Sequence, residues 1–228
     1  MSLPAAVLWD MDGTLVDTEQ YWIQAEHEIV EQHGGVWTEE FAHQLVGTDL
    51  IVSATFIRDH SPITWEPERI VDELLVRVVA AVRAHVPWRP GALELLTALD
   101  AAGVPNALVT MSWRSMADAV LAALPESEFA VVITGDEVAH GKPHPEPYLA
   151  AARALGVDPA QCVAIEDSPT GVRSAVAAGI PTLAVPHIVP VPEQHGATQR
   201  ASLVGVTPEW LGGLPGPSVV GGDELAGA

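Results

Sequence analysis

Short apolar runs recur along the chain at 7–10, 107–111, 130–134, 163–167 and 182–185, most of them followed by a segment with apolar residues at helical spacing. Runs this short, bounded by turn residues and alternating with helices, predict a parallel, doubly wound, Rossmann-like α/β sheet. The helices between them end on glycines: Gly103 closes 92–102, Gly156 closes 147–155 and Gly179 closes 171–178. Between the first and second runs lie about seventy residues more than one crossover helix needs. They read as helices over 18–33, ending at Gly34-Gly35, over 38–46 with Thr38 as N-cap, and over 67–85. This predicts a helical cap over 17–90 inserted into an α/β core of 1–16 and 91–211. The stretch 212–228 is rich in Gly and Pro and is expected to be disordered.

The 228 residues and a hydrophobic content of 48% suit a globular fold. A formal charge of −20 argues against nucleic acid or an anionic membrane as partner, since both are bound through basic surface. It also leaves a phosphate group welcome only where positive potential is concentrated locally. The single cysteine, Cys162, lies in a strand-like run and offers neither a disulfide nor a metal cluster. No basic leader or window of membrane-spanning length is evident, so a cytoplasmic monomer is expected.

Candidate chemistry gathers at the ends of the strand-like runs. Asp10 and Asp12 flank Met11 just before Gly13-Thr14, where two acids fit either a capping turn or a site relieved by a metal ion or a shared proton. Thr110 ends the second run, and Ser112 after it reads as the N-cap of the next helix or as part of a phosphate site. Lys142, the sole lysine beside nine arginines, sits in Gly141-Lys142-Pro143-His144-Pro145, as if this one place required a compact ammonium. Glu166 and Asp167 end the fourth run, either as acids at a helix start or as part of an all-oxygen shell for Mg²⁺. Several other chemistries lack support. The P-loop spacing fails before Lys142, no Gly-x-Ser-x-Gly elbow occurs, and His140 and His144 have no third nitrogen or sulfur ligand that would suit zinc.

In that order the four motifs DMDGTL, Thr110, Gly141-Lys142-Pro143 and Glu166-Asp167 resemble the haloacid dehalogenase superfamily of phosphatases. The resemblance is to the branch with β-phosphoglucomutase and the 2-deoxyglucose-6-phosphate and glycerol-phosphate phosphatases. It spans roughly residues 5 to 211 and is weakest over the predicted cap. It implies a Mg²⁺-dependent phosphatase acting on a small phosphorylated metabolite, a sugar or polyol phosphate. Asp10 would be the nucleophile that forms an aspartyl-phosphate, and Asp12 the general acid and base. The resemblance places Mg²⁺ among Asp10, the backbone carbonyl of Asp12 and Asp167, with Glu166 one shell out. Thr110, Lys142 and backbone amides around Gly13 and Met111 would hold the phosphoryl oxygens.

Glu19, Trp22 and Thr48 are the candidate substrate contacts from the cap. The Glu19-x-x-Trp22 pattern resembles the deoxysugar-phosphate phosphatases. The mutase instead has a histidine where Trp22 stands, and a phosphate-gripping arginine in the segment matching Gly47-Thr48-Asp49-Leu50. Hydrolysis is therefore expected over the alternative, a β-phosphoglucomutase-type phosphomutase. A dehalogenase of the same fold would lack Asp12, and a non-catalytic binding protein on this scaffold could do without Asp10, Lys142 or Asp167.

Overall fold

The computed structural model describes residues 2–124 and 129–217. Ala6–Trp9 forms β1, every residue of it buried, at the centre of a six-stranded parallel sheet. The other strands are β2 (Asn106–Val109), β3 (Val131–Ile133), β4 (Cys162–Glu166), β5 (Thr182–Ala184) and β6 (Ala197–Gln199), in the order β3-β2-β1-β4-β5-β6. All five ladders are parallel, with Leu8 opposite Ala107 on one side and Ala164 on the other. The winding direction reverses between β1 and β4, so a crevice opens beyond their carboxyl ends, where Asp10 and Glu166-Asp167 lie.

Alternation along the strands separates two apolar layers. Ala6, Leu8, Ala107, Val109 and Ala164 pack with residues of α7 (Glu146–Leu155) and α8 (Pro169–Ala177), including Tyr148 and Ala175. The opposite side chains, Val7, Trp9, Leu108, Val163 and Ile165, join a larger cluster that takes in α5 (Ala92–Ala101) and α6 (Arg114–Leu121).

That cluster continues into four helices inserted between β1 and β2: α1 (Glu19–Gln32), α2 (Glu39–Leu45), α3 (Leu50–Asp59) and α4 (Pro67–Ala84). α4 buries Ile70, Val71, Leu74, Leu75, Val78 and Val82, a stripe at the helical period. The insertion leaves and rejoins the sheet layer side by side. The Asp17 N–H donates to the Pro87 carbonyl at 2.7 Å, and the Arg89 N–H to that of Leu15 at 3.0 Å. No helix among the described residues is long and apolar enough to cross a membrane.

Three features differ from the sequence expectations. α3 is a separate helix whose N-cap, Asp49, accepts from the N–H groups of Ile51 and Val52. β6 is a sixth strand, three residues long and only partly buried, with too little apolar pattern to be recognised. Of the stretch expected to be disordered, residues 212–217 run along the core, Leu214 packing on the large cluster and Pro217 beside Gly196. Residues 218–228 lie outside the described residues.

Candidate active site

Asp10 follows β1, Glu166 ends β4 and Asp167 follows it, so neighbouring strands bring three carboxylates to one place. Their ligand-capable oxygens lie within 4.8 Å of one another. Lys142 enters from the loop before α7. Its Nζ donates to Asp10 Oδ1 at 2.6 Å, Glu166 Oε1 at 2.6 Å and the Val109 carbonyl at 2.9 Å. The Tyr148 hydroxyl donates to Glu166 Oε1 at 2.6 Å. Two glycines make room: a Cβ on Gly13 would collide with the Asp167 carboxylate, and one on Gly171 with that of Glu166.

One ammonium cannot neutralise three acids. Burial, with the Glu166 charge next, pushes Asp10 up to about 7 against the pull of Lys142. Asp167 is raised well above the ordinary carboxylate range by burial and then by Asp10 and Glu166. Burial alone would lower Lys142, but Asp10 and Glu166 reverse that and hold it firmly protonated. Asp10 Oδ2 and Asp167 Oδ2 are buried with no hydrogen-bond partner. Paired, buried, unsatisfied carboxylate oxygens are the donor set a hard divalent cation takes.

Asp12 points elsewhere. Oδ1 accepts from the Thr18 hydroxyl and from Trp22 Nε1 at 3.2 Å, and Oδ2 from Ser112 Oγ at 2.7 Å and Thr110 Oγ1 at 3.3 Å. Its carboxylate is thus aimed by two residues of the inserted segment and two beyond β2, and its side chain stands outside the Asp10, Glu166 and Asp167 group. Of that group, Glu166 has Oε1 committed to Lys142 and Tyr148.

Other candidates sit differently from expectation. The Gly13 N–H donates to the Val16 carbonyl at 2.7 Å. Ser112 is not the N-cap: Trp113 holds that position without a side-chain cap, and the Ser112 hydroxyl reaches Asp12 instead. Met111 lines the cavity and its sulfur accepts the Lys142 N–H at 3.1 Å. Glu19, Trp22 and Thr48 all line the same cavity as Asp10, Asp12, Thr110 and Lys142. Thr48 Oγ1 donates to the Leu45 carbonyl at 2.7 Å and pairs with Ser53 Oγ.

The family model of haloacid dehalogenase-like hydrolases matches residues 4–179. The chain belongs to that family. Hexitol phosphatase A of Escherichia coli (strain K12) is 36% identical over 183 residues, 78% of this chain and 81% of the relative. The phosphorylated carbohydrates phosphatase of Thermotoga maritima is 32% identical over 187 residues, 77% and 82% of the two chains. Among solved structures, CbbY from Rhodobacter sphaeroides in complex with phosphate superposes with a TM-score of 0.84 at 28% identity, covering 92% of this chain and 99% of its own. It has also been solved with xylulose-(1,5)bisphosphate. As a haloacid dehalogenase-like hydrolase with phosphatases for relatives, the chain is an enzyme, a hydrolase of phosphoric monoesters.

For this family member the cavity adds residues that sequence reasoning passed over. Glu26 and Ser53 line it from α1 and α3. Glu26 was marked in the pattern, because it falls on the buried stripe of Trp22, Ala25, Ile29 and Val30, where a charge is out of place. Tyr148 carried no such signal, since its position on α7 reads as ordinary core. His140, His144 and Glu146 also gather, at the surface, where Glu146 accepts from the N–H groups of Ala139 and His140 at 2.8 and 3.1 Å and braces the Lys142 loop.

Proposed function

We propose that the chain hydrolyses a small sugar or polyol phosphate, with Asp10 receiving the phosphoryl group and Asp12 moving the proton. The arrangement of Asp10 supports this most directly. Asp10 lines the cavity, and Lys142 holds its carboxylate in place through Oδ1 at 2.6 Å. In the first step Asp10 forms a bond to phosphorus as the ester P–O bond breaks, and Asp12 gives its proton to the leaving alkoxide. In the second, water attacks the aspartyl-phosphate, Asp12 takes back a proton, and Asp10 and inorganic phosphate are released. Four donors fix the Asp12 carboxylate for this exchange, Ser112 and Thr110 from the core side and Thr18 and Trp22 from the other.

Asp10 and Asp167 are the residues that would hold Mg²⁺, which when bound offsets the charge of the phosphoryl oxygens. Glu166 serves by holding Lys142. The segment 17–90 acts as a cap that covers the phosphoryl group and excludes water from it. Among the described residues that line the cavity, Lys142 is the only cation. A phosphomutase must grip a second phosphate, and nothing basic is placed to do so, which favours hydrolysis.

Asp10→Asn should abolish phosphate release while the protein stays folded and keeps its Asp12 network. Turnover near that of the unsubstituted enzyme would refute the nucleophile. Supplied with β-glucose 1-phosphate, catalytic glucose 1,6-bisphosphate and Mg²⁺, the enzyme should release inorganic phosphate faster than it forms glucose 6-phosphate. The reverse would favour the mutase.

A further inference from the structure

The cavity is lined unusually for one that receives a phosphorylated molecule. Glu19 and Glu26, both from α1, line it, and both are buried. Trp37 Nε1 donates to Glu26 Oε2 at 2.9 Å, while no hydrogen bond to Oε1 is present among the described residues. The Thr48 and Ser53 hydroxyls form a pair on the same wall, and Leu45, Leu50 and Leu74 make the rest largely apolar. Arg77, on α4, pairs with Gln32, Glu28 and Glu73 and does not line this space.

Stapling an indole N–H requires one neutral acceptor, which a glutamine or a backbone carbonyl supplies without the cost of burying a charge. A carboxyl with one oxygen uncommitted, on the wall of a cavity, is explained better by a ligand that donates to it. We propose that Glu26 is a specificity-determining residue, accepting a hydrogen bond from a hydroxyl of the leaving group. Together with Glu19 it turns away leaving groups that carry a second anion. The proposal rests on the phosphatase reading of this site and adds the chemistry of the leaving group: polyhydroxylated, without a second phosphate or a carboxylate. Burial pushes both Glu19 and Glu26 up to about 8, Asp12 adding to the effect on Glu19 and the Trp37 hydrogen bond opposing it on Glu26. A carboxyl that is protonated part of the time both donates to and accepts from hydroxyls. A second anion would meet acids that remain costly to charge and no cation to receive it.

The test compares kcat/KM of the Mg²⁺-loaded enzyme for a hexitol 6-phosphate, xylulose 1,5-bisphosphate, 2-phosphoglycolate and p-nitrophenyl phosphate. The hexitol phosphate should exceed the bisphosphate and phosphoglycolate by at least about tenfold, as expected where the cavity has no cation for a second anion. Glu26→Gln keeps the size of the side chain and an acceptor for Trp37. It should narrow that ratio at least about threefold, chiefly through a higher KM for the hexitol phosphate, because a charge-capable acceptor is replaced by a neutral one. Preference for either anionic leaving group in the unsubstituted enzyme overturns the proposal, and that arm needs no variant. A Glu26→Gln effect equal on all four substrates also overturns it, by reducing Glu26 to a structural staple. Hydrolysis of p-nitrophenyl phosphate in those cases leaves the phosphatase reading standing. Failure to release phosphate from any of the four removes that reading and the proposal with it.

Discussion

At Lys142 the ammonium touches two carboxylates and a carbonyl with the side chain almost wholly buried, so both its charge and its small size are used. A guanidinium spreads its charge over a plane and cannot occupy the same point. Lys142→Arg is therefore expected to lower phosphate release by at least about a hundredfold, close to Lys142→Ala and comparable with losing a transition-state donor elsewhere. An Arg variant with full initial rates on p-nitrophenyl phosphate would make the lysine merely structural. Asp12→Asn should slow turnover by about 10²–10⁴-fold, the usual worth of a positioned acid. An amide must also turn its NH₂ toward two of the four donors that now fix the carboxylate. A smaller loss in kcat would place the proton transfer on another group. The acids were legible in the sequence because titratable groups at the ends of apolar runs stand out, and Lys142 because it is the sole lysine. Ser112 was not, since a hydroxyl just before a helix reads as a cap until the fold brings Asp12, one hundred residues away in sequence, within 2.7 Å.

The helices were legible where their ends carried local signals. Thr38 caps α2 through the Phe41 N–H, and Gly156 closes α7 in the left-handed region. The parallel sheet followed from the alternation of runs and helices, but edge strand β6 did not, because its pairing with β5 owes little to its own three residues. Nor did the joint beneath the inserted helices. His187, from the loop after β5, meets Arg89 Nη1 through Nδ1 at 2.8 Å and Asp17 Oδ1 through Nε2 at 2.8 Å. Arginine can only donate and the carboxylate accepts, so the neutral imidazole with its proton on Nε2 satisfies both. One core side chain thereby ties together the two crossings of the insertion. If that insertion opens and closes as a cap, His187→Ala should change kcat and KM together, with a fall in stability of about 1–2 kcal/mol for the lost hydrogen bonds. Kinetics unchanged beside a lowered melting temperature would make the joint a matter of stability alone.

Across the whole molecule, 30 acidic residues face 10 basic ones, and the fold buries several of those acids together instead of spreading all of them over the surface. The consequence for stability has a definite sign. Folding raises Asp10 from 3.8 to about 7, and Glu19 and Glu26 from 4.5 to about 8, burial being the first cause in each. Between these limits the folded chain holds protons that the unfolded chain has released, so the free energy of unfolding falls as pH rises. Lys142, also raised, acts in the same direction but only above 10.5, its ordinary value, and leaves this window untouched. The acids whose values folding lowers, Glu137, Glu146 and Glu209, sit at the surface and add little. In chelator, the melting temperature should therefore drop between pH 5.5 and pH 8, and Glu26→Gln should flatten the drop by removing one of its sources. A divalent cation bound by Asp10 and Asp167 requires them deprotonated, so Mg²⁺ should recover more stability at pH 8 than at pH 5.5. A melting temperature that climbs over this range in chelator would contradict the buried acids as the source of the pH dependence. The absence of any Mg²⁺ effect at pH 8 would separately remove Asp10 and Asp167 as a metal site.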